Sequence, residues 1–250
     1  METSDRFTNR VANYAKFRPH YPREIIGYLS KTCGLTAESR VADIGCGTGI
    51  SSLLFLENGN CVIGVEPNDA MRAEADRFLA EFPRFTSVCG TSSDTKLTEA
   101  SIDIVVAAQA FHWFDADAAR REFRRILMPG GLIVLIWNER QLNSTPFLIG
   151  YEDLLIRYAY DYGAVRHENI RDEELSAFFG SEYHSTTFQN FQDFDFEGLR
   201  GRLLSASYMP NEKDLAYGQM IEELKNLFAK YAENGRIKVL YDTNVYCSQI

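Results

Sequence analysis

The stretch VADIGCGTGISS, residues 41–52, decides the fold. Its apolar opening predicts a short buried strand over RVADIG. Three glycines then stand at alternate positions, Gly45, Gly47 and Gly49, straight after Asp43. Glycine accepts positive φ and lets a ligand approach the backbone closely. A helix opens near Ile50, runs through SSLLFLENG and stops at Gly59. Its first turn offers N–H donors and the positive end of a dipole to the loop. In open parallel sheets, ligands bind beyond the carboxyl ends of the strands, where such a loop lies.

Strands and helices alternate on the C-terminal side of this stretch. CVIGVE reads as a strand ending in Glu66, with Pro67 terminating it. NDAMRAEADRFLAEF reads as a helix capped by Asn68. FTSVCG and IDIVVAAQ are strands, DADAARREFRRILMPGG is a helix ended by Pro129 and two glycines, and LIVLIW is a further strand. Near-continuous apolar strands alternating with helices predict a parallel sheet covered on both faces. Upstream, PREIIGYLSKTCG reads as a helix with Pro22 in its first turn and Gly34 at its stop. The rhythm breaks after Trp137. Residues 142–182 read as helical and aromatic, YHSTTFQNFQDFDF as a strand whose phenylalanines pack the sheet, and RIKVLYDTNVYCSQI as a closing strand. Between those two strands lies a long amphipathic helix, with Tyr217, Met220, Ile221, Leu224, Phe228 and Tyr231 on one stripe. No internal repeat and no low-complexity linker interrupts the 250 residues.

Composition narrows the function. The net charge of -9 disfavours nucleic acid as a partner, because phosphate binding needs clustered Lys and Arg. METSDRFTNR has no apolar core for a signal peptide, and no run is long enough to cross a bilayer. Five scattered cysteines form no CxxC pair, and four histidines form no HExxH. A cytoplasmic protein without metal or membrane contact is expected.

Two acids then define the ligand. A dinucleotide site wants GxGxxG, whereas the spacing here is GxGxG after Asp43. An acid there repels a pyrophosphate and attracts an ammonium group. Glu66 is placed to accept hydrogen bonds from ribose hydroxyls. The ligand therefore looks like a nucleoside with an amino-acid tail, and S-adenosylmethionine fits that description. Asp43 has a second reading, as a cap on the loop N–H groups.

VADIGCGTG, VIGVEPNDAMR, GTSSDTKL and LMPGG resemble, in order, the successive motifs of class I S-adenosylmethionine-dependent methyltransferases. YAKFRPHYP (14–22), AAQAFHWFD (107–115) and LLSASYMP (203–210) resemble the small-molecule branch that includes trans-aconitate methyltransferase-like proteins. The resemblance implies a Rossmann-like α/β fold. Its seven-stranded sheet is mostly parallel, the last strand is antiparallel, and helices lie on both faces. It implies one domain over 1–250: an N-terminal cover segment (1–34), a cofactor-binding core (35–141), a helical insertion (142–182), and C-terminal strands and helix (183–250).

Site residues follow on the same terms. Gly45, Gly47, Gly49, Asp43, Glu66 and Pro67 form the cofactor cradle. Met71 lines the adenine pocket or packs the core. Similar proteins often carry Glu after the third strand, where this chain has Ser92 and Ser93 before Asp94. Tyr14 and Arg18 reach the cofactor from the cover, the tyrosine facing the sulfonium and Arg18 pairing with the methionine carboxylate; Tyr21 reaches the substrate. A packed arm with an exposed arginine is the alternative. Gln109 and Phe111 line the cofactor, partly through backbone. His112 is a general base, or is hydrogen-bonded within its loop. Trp113 and Phe114 read as core. Arg140 recognises an acidic acceptor or lies on the surface.

The expected reaction is methyl transfer to a small molecule, with O-methylation of a carboxylate as the sharper version. A cofactor-binding protein without catalysis and a methyltransferase with a macromolecular acceptor are the alternatives. A nicotinamide enzyme is disfavoured by the GxGxG spacing.

Overall fold

The computed structural model describes residues 17–160, 172–180, 182–206 and 208–249. The apolar runs form strands β1 (Arg40–Ile44), β2 (Cys61–Val65), β3 (Phe85–Val88), β4 (Ile102–Ala108), β5 (Leu127–Arg140), β6 (His184–Phe194) and β7 (Ile237–Gln249). Helices α1 (Glu24–Cys33), α2 (Ile50–Glu57), α3 (Asp69–Phe78), α4 (Ala116–Ile126), α5 (Pro146–Tyr158), α6 (Asp172–Phe179), α7 (Phe196–Leu204) and α8 (Tyr217–Tyr231) connect them. The strands lie in the order β3-β2-β1-β4-β5-β7-β6. Only β7 is reversed, pairing antiparallel with β5 and β6.

Alternation along the central strands builds a core on each face. Leu132, Val134 and Ile136 of β5 join Val41, Ile104 and Val106, beneath Ile25 and Leu29 of α1 and Leu54 and Phe55 of α2. Ile133, Leu135 and Trp137 turn the other way, onto Phe123 of α4 and Phe178 of α6. A third cluster joins α5, α7 and α8 to Phe194, Ile237, Val239 and Tyr241. Those residues end β6 and begin β7. The cluster therefore caps the edge where the parallel strands present their carboxyl ends.

Local chemistry sets most boundaries. The side chains of Asn68, Asp115, Thr145 and Asp195 each accept an N–H from the first turn of α3, α4, α5 and α7, respectively. Gly34 ends α1 at a φ of 76°. Helix α4 stops at Ile126, not among the glycines, because Pro129 disfavours helical backbone at the residue before it. Leu127 accordingly already pairs with Ile102. The residues expected to form one insertion divide between two cores, α5 joining the cap and α6 the α4 face. Trp113 is 46% exposed, contrary to its reading as core. Phe191 of the phenylalanine row is also exposed, with Lys238 over its ring. The free thiols of Cys33 and Cys247 approach to 3.0 Å.

One amide ties the N-terminal segment to the sheet. Asn138, buried at the end of β5, donates to the carbonyls of Pro19 and His20 at 3.4 and 3.3 Å. Its Oδ1 accepts from Asn190 of β6 at 3.1 Å and from Thr243 of β7. Asn190 also donates to His20 O at 2.7 Å, and Gln192 to Phe17 O at 3.0 Å. The segment thus lies across the carboxyl-end edge. Asn138→Ala strands several of these groups, so urea unfolding should show a loss of about 1–3 kcal/mol. Amide exchange at Phe17, Arg18 and His20 should quicken before that of the central strands.

Candidate active site

The three glycines of the β1–α2 loop divide their work. All have positive φ: 71° at Gly45, 55° at Gly47 and 86° at Gly49. A Cβ on Gly45 would lie 2.8 Å from the Ala110 side chain, and one on Gly49 would lie 2.7 Å from Leu79. Packing alone demands these two. A Cβ on Gly47 meets nothing nearer than Met71 Sδ, at 4.0 Å. The middle glycine therefore borders open space, with buried Met71 of α3 beside it.

Glu66 spans the adjacent turn. Its Oε2 accepts from Gly47 N at 3.0 Å and its Oε1 from Asn68 N at 2.9 Å. Burial pushes its carboxyl pKa up, against the pull of those two N–H groups. Each oxygen keeps further lone pairs for incoming hydroxyl donors. Pro67 forms the exposed bend that follows.

Asp43 is buried behind the loop, fully out of solvent. Its Oδ2 accepts from the hydroxyls of Ser51 and Ser52 at 2.6 and 2.7 Å. Its Oδ1 has no hydrogen-bond partner. Burial raises its pKa from 3.8 to about 6, opposed by the serine hydrogen bonds. A half-satisfied buried acid of this kind suits a cationic neighbour.

The end of β4 is strained. Gln109 holds a φ of 54°, unusual for a residue with a side chain, and its Nε2 donates to Asn138 O at 2.8 Å. The 3₁₀ turn Phe111–Trp113 follows. Phe111 turns into an aromatic cluster with Phe178 and Trp137, so only its backbone remains to face a ligand. His112 is half-buried, its ring 4.8 Å from that of Trp113. Ser92 and Ser93 sit in a turn after β3 closed by the Thr91–Asp94 bridge, Ser92 half-buried and Ser93 exposed.

On the cap side, Arg18 donates to Ser205 O at 3.5 Å. Tyr21 packs partly buried against the core beneath α1, and Tyr14 lies outside the described residues. Arg140 forms a buried ion pair with Glu152 and lies 5.2 Å over the Tyr151 ring. Its charge is thus matched from within the chain. The partner acid comes from α5, which strand-end position alone did not reveal.

Comparison with known proteins agrees with this geometry. Residues 42–135 match the family described as Methyltransferase domain. Residues 42–135 are a class I S-adenosylmethionine-dependent methyltransferase domain. The chain is 37% identical over 134 residues to an uncharacterized methyltransferase of Mycobacterium tuberculosis, covering 54% of this chain and 52% of that protein. It thus spans about half the length of that curated relative. It is 30% identical over 194 residues to CRG1 of Saccharomyces cerevisiae, named a probable S-adenosylmethionine-dependent methyltransferase, covering 74% of this chain and 64% of that protein. A solved structure from Anaeromyxobacter dehalogenans, assigned by name to type II methyltransferases, superposes with a TM-score of 0.73 at 23% identity. That match covers 93% of this chain and 98% of the other and is a likeness of fold.

The site and its surroundings contain groups that motif reading passed over. Ser51 and Ser52, one turn beyond the glycines, hold Asp43 in place. Asn138 joins the cover to three strands. Glu152 neutralises Arg140. The serines were visible in the opening stretch as hydroxyls on the first turn of α2; the other two pairings depend on tertiary packing.

Two outcomes are expected. Gly47→Ala should fold, destabilised by about 1–2 kcal/mol through its positive φ, and should lose S-adenosylmethionine binding in calorimetry. Gly49→Ala should unfold at markedly lower temperature, because it adds the clash with Leu79. The second outcome concerns pH. An acid whose folded pKa is raised stabilises the fold below its unfolded pKa and loses that contribution as pH rises through the folded value. Between pH 4 and 6 wild type should therefore lose stability relative to Asp43→Asn, by up to about 3 kcal/mol for a shift from 3.8 to about 6. Urea unfolding at pH 4.0 and pH 7.0, roughly either side of that shift, measures the difference.

Proposed function

We propose that this chain transfers the methyl group of S-adenosylmethionine to a carboxylate of a small organic acid. One observation carries the donor half: open space borders Gly47, whose N–H is held by the Glu66 carboxylate, and Asp43 lies buried behind the same loop with its Oδ1 unpartnered. A nucleoside with a cationic amino-acid tail matches those groups. Glu66 takes the ribose hydroxyls. Asp43 and the loop backbone of Gly45, Gly47 and Gly49 take the ammonium end, and Arg18 the carboxylate end. Met71, Pro67, Ser92 and Ser93 border the adenine. Gln109 and the backbone of Phe111 lie toward the sulfonium, and Tyr21 of the cover lies toward the acceptor. When bound, the cofactor supplies an activated methyl group on a sulfonium. The chain's own contribution is alignment and exclusion of water, which can be worth roughly 7–11 kcal/mol.

Two features favour a small acid as acceptor. The strand-end edge is roofed by residues 17–22 and by the α5, α7 and α8 cap, which favours a small molecule over a macromolecule. Guanidinium groups of Arg18 and Arg202 meet at Ser205 under that roof, within a chain of net charge -9. A carboxylate is ionised at neutral pH, given a reference value of about 4.3, and needs no base. One domain carries the activity, because all the described elements build on a single sheet. A second reading keeps His112 as general base for a hydroxyl or carbon acceptor, favoured by its place in the turn after β4.

A panel of carboxylic acids and their matched amides, incubated with methyl-labelled S-adenosylmethionine, tests the proposal. Methyl esters should form from acids and not from amides. Glu66→Ala should weaken cofactor binding about 30-fold, the equivalent of losing hydrogen bonds to a charged acceptor. His112→Ala should keep activity within about fivefold; a loss of several hundredfold moves the acceptor to the class that needs a base. Binding without transfer to any acceptor leaves a cofactor-binding protein, and binding of NAD in place of S-adenosylmethionine removes the reading altogether.

A further inference from the structure

Arg202 differs from the other cations of the cap. It projects from α7 and is only partly exposed. Its Nε donates to Tyr241 Oη at 3.1 Å and its Nη1 to Ser205 Oγ at 3.5 Å. No carboxylate among the described residues pairs with it. Its neighbours are otherwise matched: Arg140 with Glu152, Arg157 with Glu223, and Arg200 with Glu197 and Glu212.

The groups around Arg202 supply no negative charge. Tyr241 accepts from Arg202 and donates to Gln192 Oε1 at 2.9 Å, so its hydroxyl is occupied on both sides. The Tyr151 phenol is pushed up to about 12, chiefly by burial, and stays protonated near neutral pH. Glu152, an acid of the same cap, pairs with Arg140. A guanidinium withdrawn from water without a counter-ion is costly to the fold, and it persists where an incoming anion supplies the missing charge.

Its position fits that use. Gln192, which receives the Tyr241 hydroxyl, donates onward to Phe17 O in the cover segment. Arg18 reaches the carbonyl of the same Ser205 whose hydroxyl faces Arg202. The cation thus lies between the cap and the cover, beside the ends of β5 and β7.

We propose that Arg202 is the specificity-determining residue of the acceptor site, its guanidinium receiving a carboxylate of the small-acid acceptor in the role that Arg140, matched by Glu152, does not fill. The assignment rests on the small-acid reading above. It sets Arg140 as a structural cation and Arg202 as a ligand-facing one. The two should answer substitution in opposite ways.

The test uses the whole chain with acetate, succinate and citrate as probes and succinamide as the uncharged control. Thermal unfolding is followed with and without probe, and affinity by calorimetry. In wild type at least one carboxylate should raise the unfolding midpoint, and succinamide should not. Arg202→Met should weaken that binding at least tenfold while leaving the probe-free midpoint unchanged or higher, because an unmatched charge is replaced by an apolar chain. Arg202→Lys should restore part of the affinity. Arg140→Met should lower the probe-free midpoint by breaking the buried ion pair with Glu152. Carboxylate binding retained in Arg202→Met, no response of wild type to any of the three acids, or a lowered probe-free midpoint in Arg202→Met overturns the assignment. S-adenosylmethionine binding, measured separately on wild type and Arg202→Met, should be equal. Its absence from wild type would overturn the methyltransferase reading instead, leaving the carboxylate result to stand or fall on its own.

Discussion

The Glu66 carboxylate fixes the spacing on which the rest of the site depends. It receives one N–H from the β1–α2 loop and one from the start of α3. Two turns from different crossovers are thereby held by a single buried side chain. Parallel pairing makes this possible: Ile44 lies opposite Val65, so both strands end at the same edge and their turns emerge together. Charge-assisted N–H donors are what keep a buried carboxylate useful at neutral pH. The same donors leave lone pairs pointing outward. Anchorage and recognition thus use one group.

Behind this edge the chain handles charge in two different ways. At the β1 and β2 ends it buries acids, Asp43 and Glu66, and hydrogen-bonds their carboxylates to hydroxyls and N–H groups. On the cap side it buries arginines and pairs one with Glu152 and bonds another to the Tyr241 phenol and the Ser205 hydroxyl. The sheet separates these regions by the width of β4 and β5, and Gln109, strained at the end of β4, is bonded to Asn138 at the end of β5. A molecule of strongly acidic balance therefore contains a local region of opposite sign.

Much of this was readable from residue order. The apolar run to Ile44, the glycine spacing and the Glu66–Pro67 strand end carried β1, β2 and the loop between them. Asn68 was legible as a cap because its side chain acts locally, and the stripe from Tyr217 to Tyr231 because helical period is a property of the segment itself. What residue order did not carry shares a cause. Trp113 looks apolar in sequence yet is turned outward in the 3₁₀ turn whose Phe111 is buried. Residues 142–182 look like one insertion, yet α5 and α6 pack into different cores. Arg140 was placed at the right strand end, but its partner Glu152 comes from a helix whose docking no local pattern specifies. Arg202 carried no motif at all. Its significance is the acid it lacks, which only three-dimensional neighbours can reveal.

The reversed strand has a consequence for how the molecule is made. β7 follows every other strand in chain order yet is wedged between β5 and β6, so neither can complete its hydrogen bonding without it. Non-local pairings of this kind raise contact order and come late in folding. During synthesis, the half built on β1 to β4 has all its strands long before the half that contains β6 and β7. Residues 17–20 must wait for partners more than a hundred positions downstream, Asn138, Asn190 and Gln192 among them. A nascent chain thus acquires its glycine loop first and the anchorage of residues 17–20 last.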